Sequence, residues 1–209
     1  MKFGGFQPFT LSDYPGRAAA IVFAQGCNFR CPFCHNGPLL PMMVQEECLV
    51  PEETVLEHLK RRRGRLEGLV VSGGEPTLQA ALPGFLRQVK RLEYQVKLDT
   101  NGSRPEMLAL LLRDGLVDFV AMDVKAPPEK YGLLCGGMAP MAEVGESMTL
   151  LVRSGVPHLF RTTVVPGLLG DYDLAVLAGI IPKDSPHILQ EFHPEHALDP
   201  AACLTAQSA

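Results

Sequence analysis

Cys27-Asn28-Phe29-Arg30-Cys31-Pro32-Phe33-Cys34-His35-Asn36 decides how this chain is read. It sets three thiols within eight positions, directly after the apolar run 18–24. Three residues separate the first pair and two the second, which brings three sulfurs onto one concave loop. Thiolates are soft ligands, and three of them on one loop suit a metal or an iron–sulfur cluster. A structural zinc wants four closed ligands, and only His35 stands near enough in sequence to be the fourth. Three cysteines leave one coordination position open, and an open position is where a catalytic ligand binds. Disulfides among these thiols are disfavoured by the strain of such close spacing.

Around that loop the chain alternates apolar runs with helical patterns. Residues 1–16 are rich in glycine, proline and aromatics and read as irregular, with a turn over 12–16. The first strand is 17–24, apolar nearly throughout, as a strand covered on both faces must be. Helices are expected near 51–63, 78–91, 106–113, 141–154 and 171–178. Strands are expected at 69–71, 94–98, 117–122, 158–165 and 187–192, with a loop through Pro127-Pro128 and Gly136-Gly137. Such alternation argues for a parallel sheet with right-handed crossovers, hence an α/β fold. Six strands are too few for a closed eight-stranded barrel and fit an open (β/α)6 partial barrel. One domain over 1–193 and a loosely ordered tail over 194–209 complete the expectation.

In such a barrel the working residues sit at the carboxyl ends of the strands. Unusual residues recur at those ends here. Ser72-Gly73-Gly74-Glu75 closes the second strand, Asp99-Thr100-Asn101-Gly102 the third and Asp123-Val124-Lys125 the fourth. Arg161 lies in the fifth strand and His193 ends the sixth. Gly73 and Gly74 let backbone approach a ligand closely, and Glu75 can accept hydrogen bonds from an ammonium. Asp99 suits ribose hydroxyls or a cation, whereas Asn101-Gly102 on its own is also a turn signal. Lys125 and Arg161 offer donors to a carboxylate, or simply pair with Asp123. The Lys60–Arg63 run reads as the favourable end of a helix rather than a binding patch.

The chain has 209 residues, 46% apolar and 20% charged, with a net charge of −4, so the basic footprint of a nucleic-acid binder is missing. No signal pattern opens it, no apolar run reaches membrane-spanning length, and Cys48, Cys135 and Cys203 are scattered. A cytoplasmic enzyme is the expectation. No role is assigned to those three cysteines.

Cys27, Cys31 and Cys34 with Phe33 resemble the CxxxCxxC loop of the radical S-adenosylmethionine (radical SAM) enzymes. The resemblance implies that the three cysteines hold one 4Fe–4S cluster whose open iron chelates S-adenosylmethionine. Gly73-Gly74-Glu75 is similar to the family's GGE motif, which holds the SAM amino group. Together with Ser12–Gly16, Gln25–Asn36, Leu98–Gly102, Met122–Lys125 and Arg161–Gly167, the motifs resemble the activating proteins of anaerobic ribonucleoside-triphosphate reductase over residues 3 to about 193. Pyruvate formate-lyase activating enzymes share most of them.

By that resemblance, Phe33, His35, Gly73, Gly74, Glu75, Asp99, Asn101, Asp123, Lys125, Arg161 and His193 bind SAM. Asp99, Thr100, Ala121 and Asp123 surround a monovalent cation, two of them through backbone carbonyls. Residues 36–68 contain only Cys48, so a second cluster is not expected. The implied function is generation of a glycyl radical on a partner enzyme, anaerobic ribonucleotide reductase, with a flavodoxin or ferredoxin as electron donor. Two rivals are an activase of another glycyl radical enzyme and a radical SAM enzyme acting on a small molecule. A third, from another class, is a zinc-binding interaction module.

Overall fold

The computed structural model describes residues 1–137 and 140–204. Seven strands form one sheet in chain order: β1 (Phe3–Thr10), β2 (Ala19–Ala24), β3 (Gly68–Gly73), β4 (Gln95–Thr100), β5 (Phe119–Asp123), β6 (His158–Val164) and β7 (His187–Glu191). Strands β2 to β7 run parallel, each joined to the next by a crossover, whereas β1 pairs antiparallel with β2. The crossovers carry α1 (Glu52–Arg62), α2 (Leu82–Arg91), α3 (Pro105–Arg113), α4 (Pro128–Leu134), α5 (Met141–Ser154) and α6 (Asp171–Ile180), and α7 (Pro200–Leu204) follows β7. The six parallel units form the expected open barrel. Among the described residues no helix is long and apolar enough to cross a membrane.

The two faces of the sheet differ. Outward-pointing Ala20, Val22, Leu69, Val71, Val96, Leu98 and Val120 pack beneath the helices in one large core with Leu59, Leu82, Phe85, Leu86 and Leu108. Each fully buried side chain of this size contributes roughly 1.5–3 kcal/mol. Phe3 meets Phe85 edge to face at 5.0 Å, which fastens β1 to the helix layer. On the concave face a smaller cluster of Tyr14, Ala19, Ile21 and Val70 makes an apolar floor. Above that floor, toward the strand carboxyl ends, the concave face turns polar.

Three elements depart from the sequence reading. Residues 3–10 form a strand, because Pro8 is tolerated on a sheet edge and Gly4 and Gly5 let the chain lie close against Gln25 and Phe23. Residues 128–134 form α4 with Pro128 in its first turn, where a missing N–H costs nothing. The part of the tail over 194–204 is packed, not loose. Asp199 N–H donates to the Pro32 carbonyl at 2.8 Å, Leu198 stands over Gly37, and Cys203 is buried. Residues 205–209 lie outside the described residues.

Candidate active site

The cluster loop leaves β2 through Gly26, whose φ of +95° only glycine adopts without strain. Gly26 N–H and Cys27 N–H donate to the carbonyls of Leu39 and Leu40, and Gln25 Nε2 holds the carbonyls of Pro38 and Pro41. The loop therefore closes on itself at its base. Cys27 and Cys31 are buried and Cys34 half-buried. Phe29 N–H donates to Cys27 Sγ and Asn36 N–H to Cys34 Sγ, both at 3.4 Å, the kind of bond that stabilises negative sulfur.

All three thiols line a cavity of about 710 Å³ at the carboxyl ends of the strands. Phe33, His35, Gly73, Gly74 and Glu75 line the same cavity, as do Asp99, Thr100, Asn101, Asp123, Lys125, Arg161 and His193. Ala121 is fully buried and is not part of its wall. The volume suits one small organic ligand.

Register explains the convergence. Ala24 faces Gly73, so the cluster loop and the Gly73-Gly74-Glu75 turn leave the sheet side by side. Asp99 faces Ala121 and Asp123 faces Arg161, which stacks the charged side chains across three strands. Gly73 has φ +115°, and a Cβ on Gly74 would overlap the Gly26 carbonyl oxygen and lie 3.1 Å from the Leu39 oxygen. Two backbones meet there with no room between them. Gly74→Ala is therefore expected to destabilise the fold by at least about 3 kcal/mol, the upper range for overpacking. An unchanged denaturation midpoint would refute the close approach.

Glu75 is wholly buried. Its Oε1 accepts from Thr77 N–H at 3.0 Å, from the Thr77 hydroxyl and from the Thr100 hydroxyl at 2.8 Å, while Oε2 accepts from Asn101 N–H at 2.6 Å. Burial pushes its carboxyl above the usual range, and these donors only partly offset that. Asn101 spends its side chain on Asn28 Oδ1 and Ser103 N–H, tying the turn after β4 to the cluster loop.

Asp123 sits between two cations, Arg161 Nε and Lys125 Nζ, each at 2.8 Å. Burial alone would raise its carboxyl, but Arg161 and Lys125 hold it down at about 2. Lys125 also stands 5.9 Å from the centre of the Phe33 ring. His35 and His193 come together at the rim, ring centres 6.2 Å apart, with His196 5.9 Å from His35. His193 remains half-exposed beside Glu195.

Three neighbours were not anticipated. Cys135 is fully buried behind the cluster loop, its carbonyl accepting from Arg30 N–H at 3.1 Å, and the neighbouring thiols shift each other, Cys31 downward and Cys135 upward. Lys97 lies behind Asp99, and His196 joins the rim from the docked tail. Only Lys97 carried a signal in the sequence, two positions before Asp99 and hence on the same face of β4.

The donor set fits a thiolate-bound cluster. Three thiols face one cavity with backbone N–H groups on two of their sulfurs, while burial pushes Cys27 up to about 12 and also raises Cys34. Among the described residues no three or more His, Cys, Asp and Glu side chains gather around a point fit for one metal ion.

Comparison with known proteins agrees with this geometry. The family model described as the radical SAM superfamily matches residues 21–175. A chain of Methanocaldococcus jannaschii that carries the name glycyl-radical enzyme activating enzyme is 31% identical over 200 residues, covering 93% of this chain and 81% of its own. Pyruvate formate-lyase 1-activating enzyme of Escherichia coli strain K12 is 29% identical over 202 residues, covering 92% and 80%. The solved structure of native anSMEcpe with bound AdoMet superposes with a TM-score of 0.62 at 19% identity, over 81% of this chain and 50% of that one. That last likeness concerns the fold, and this chain spans half the other's length. With a cysteine loop, a glycine-lined turn and an open barrel in one place, and a family model over most of its length, the chain belongs to the radical SAM superfamily.

Proposed function

We propose that this chain is a glycyl-radical enzyme activating enzyme, and that its partner is anaerobic ribonucleoside-triphosphate reductase. The observation that carries the first step is the single cavity shared by Cys27, Cys31, Cys34 and the Gly73-Gly74-Glu75 turn. The names of the two curated relatives support the activase reading. The choice of reductase rests on the motifs quoted above.

In this reading Cys27, Cys31 and Cys34 hold one 4Fe–4S cluster, and the cavity wall holds S-adenosylmethionine. When bound and reduced by a flavodoxin or ferredoxin, such a cluster would supply the one-electron chemistry for reductive cleavage of S-adenosylmethionine, with the hydrogen atom coming from a partner glycine. The chain's own residues bind and orient. Gly73 and Gly74 give the methionyl part close access to backbone, and Lys125 and Arg161 present cations to a carboxylate. Asp99 offers two acceptors toward ribose hydroxyls. Phe33, Ile21 and Phe23 give the cavity an apolar wall, which would limit water there. The cytoplasm, where thiols stay reduced, is the compartment this chemistry fits.

The test is electron paramagnetic resonance of the anaerobically reconstituted, reduced protein with S-adenosylmethionine and the reductase. The expected result is a carbon-centred doublet split by one α-hydrogen, present only with every component. Formation of 5′-deoxyadenosine without that doublet would keep the radical SAM chemistry and reject this partner, moving the search to another glycyl radical enzyme or a small molecule.

A further inference from the structure

The concave face carries a buried ladder of ion pairs. Lys97 and Asp99 are two positions apart on β4, so both point into the barrel, and Lys97 Nζ donates to Asp99 Oδ1. Arg161 reaches both carboxylates, with Nη1 3.6 Å from Asp99 Oδ1 and Nε 2.8 Å from Asp123 Oδ1. Lys125 closes the row on Asp123 Oδ2 at 2.8 Å. The Lys97 side chain is 5% exposed and that of Asp99 12%.

We infer that the Lys97 ammonium occupies the place that a monovalent cation would take beside Asp99, so that this enzyme carries its own cation and needs neither sodium nor potassium. Three cationic side chains, Lys97, Arg161 and Lys125, already face the two carboxylates Asp99 and Asp123. The ladder holds an excess of positive charge before any ion is added, and a further cation would enter against it at low dielectric.

The one hydroxyl in the expected cation site is committed elsewhere. The Thr100 hydroxyl donates to Glu75 and accepts from Gly102 N–H, so it is turned away from Asp99. Ala121 stands opposite Asp99 in register, and its methyl group offers a cation no side-chain ligand. Lys97 does not line the cavity, so it acts through Asp99 as a positioning residue, fixing the carboxylate at the ligand's edge. The part of the inference that concerns S-adenosylmethionine rests on the proposed function. The cation part does not.

Two measurements on the cluster-loaded full chain test it. The first is 23Na relaxation on titration with NaCl, with KCl as competitor. No saturable sodium binding is expected, and a saturable site displaced by potassium would overturn the inference. The second is calorimetric binding of S-adenosylmethionine in choline, sodium and potassium chloride at equal ionic strength. Wild-type affinity is expected to agree within about twofold across the three salts, since no ion takes part. Lys97→Met, close in length and uncharged, is expected to bind about tenfold more weakly in choline chloride, the cost of losing an outer partner, and to recover in sodium or potassium. Wild-type affinity that rises severalfold with either ion would overturn the inference, as would a Lys97→Met variant indistinguishable from wild type in choline. If the variant does not fold, the two wild-type measurements decide the question alone. If wild type binds no S-adenosylmethionine in any salt, the functional reading falls while the sodium titration still judges the cation.

Discussion

Replacing Cys34 by alanine is expected to remove iron from the purified protein, abolish its brown colour and lower 5′-deoxyadenosine formation by more than about a hundredfold. An outer partner of a metal ligand already costs 10–100-fold, and a ligand itself costs more. Cys34 is a cleaner target than Cys31, because Cys34 is half-buried whereas Cys31 is buried against the neighbouring Cys135, so a change there also disturbs packing. Anaerobic reconstitution followed by iron analysis and product chromatography makes the measurement. Cys48→Ala is the control, since Cys48 is exposed in a short turn away from the cavity. Full 5′-deoxyadenosine formation by the Cys34 variant would end the three-thiolate assignment.

The second large effect belongs to Glu75. Glu75→Ala would leave two backbone N–H groups, of Thr77 and Asn101, without their acceptor in a fully buried place, and the hydroxyls of Thr77 and Thr100 as well. Hydroxyls rotate to other partners, but the backbone donors do not. Each stranded donor costs about 1–3 kcal/mol, so a loss of about 3 kcal/mol or more is expected. At about 2–4 °C per kcal/mol for a chain of this size, the thermal midpoint falls by roughly 6–12 °C. The fall is expected in the absence of iron and of S-adenosylmethionine, which separates this role from ligand binding. A midpoint within 2 °C of wild type would show that Glu75 serves the ligand and not the junction of the turns after β3 and β4.

The parallel part of the fold was legible because strands covered on both faces are continuous apolar runs, as 19–24 and 68–71 are. The site was legible because its members end successive strands and the barrel gathers those ends. β1 was hidden by Gly4, Gly5 and Pro8, which are poor strand residues in isolation and acceptable ones on an edge lying close to Gln25. Cys135 could not be placed from spacing. About a hundred residues separate it from Cys31, and only the fold brings α4 under the cluster loop, where Arg30 N–H meets the Cys135 carbonyl at 3.1 Å. Glu75 lines the cavity with the rest of its motif, but sequence shows a side chain's chemistry and not that Thr77, Thr100 and Asn101 also donate to it.

The docked segment after β7 sets an order of events during synthesis. The sulfur-bearing loop leaves the ribosome early, and the residues that cover it, Leu198 beside Gly37 and Asp199 on Pro32, leave more than 160 positions later. At about 5–20 residues per second that interval is roughly 8–33 s. Throughout it the cysteine loop is made but lacks the outer support that the later segment brings to Pro32 and Gly37.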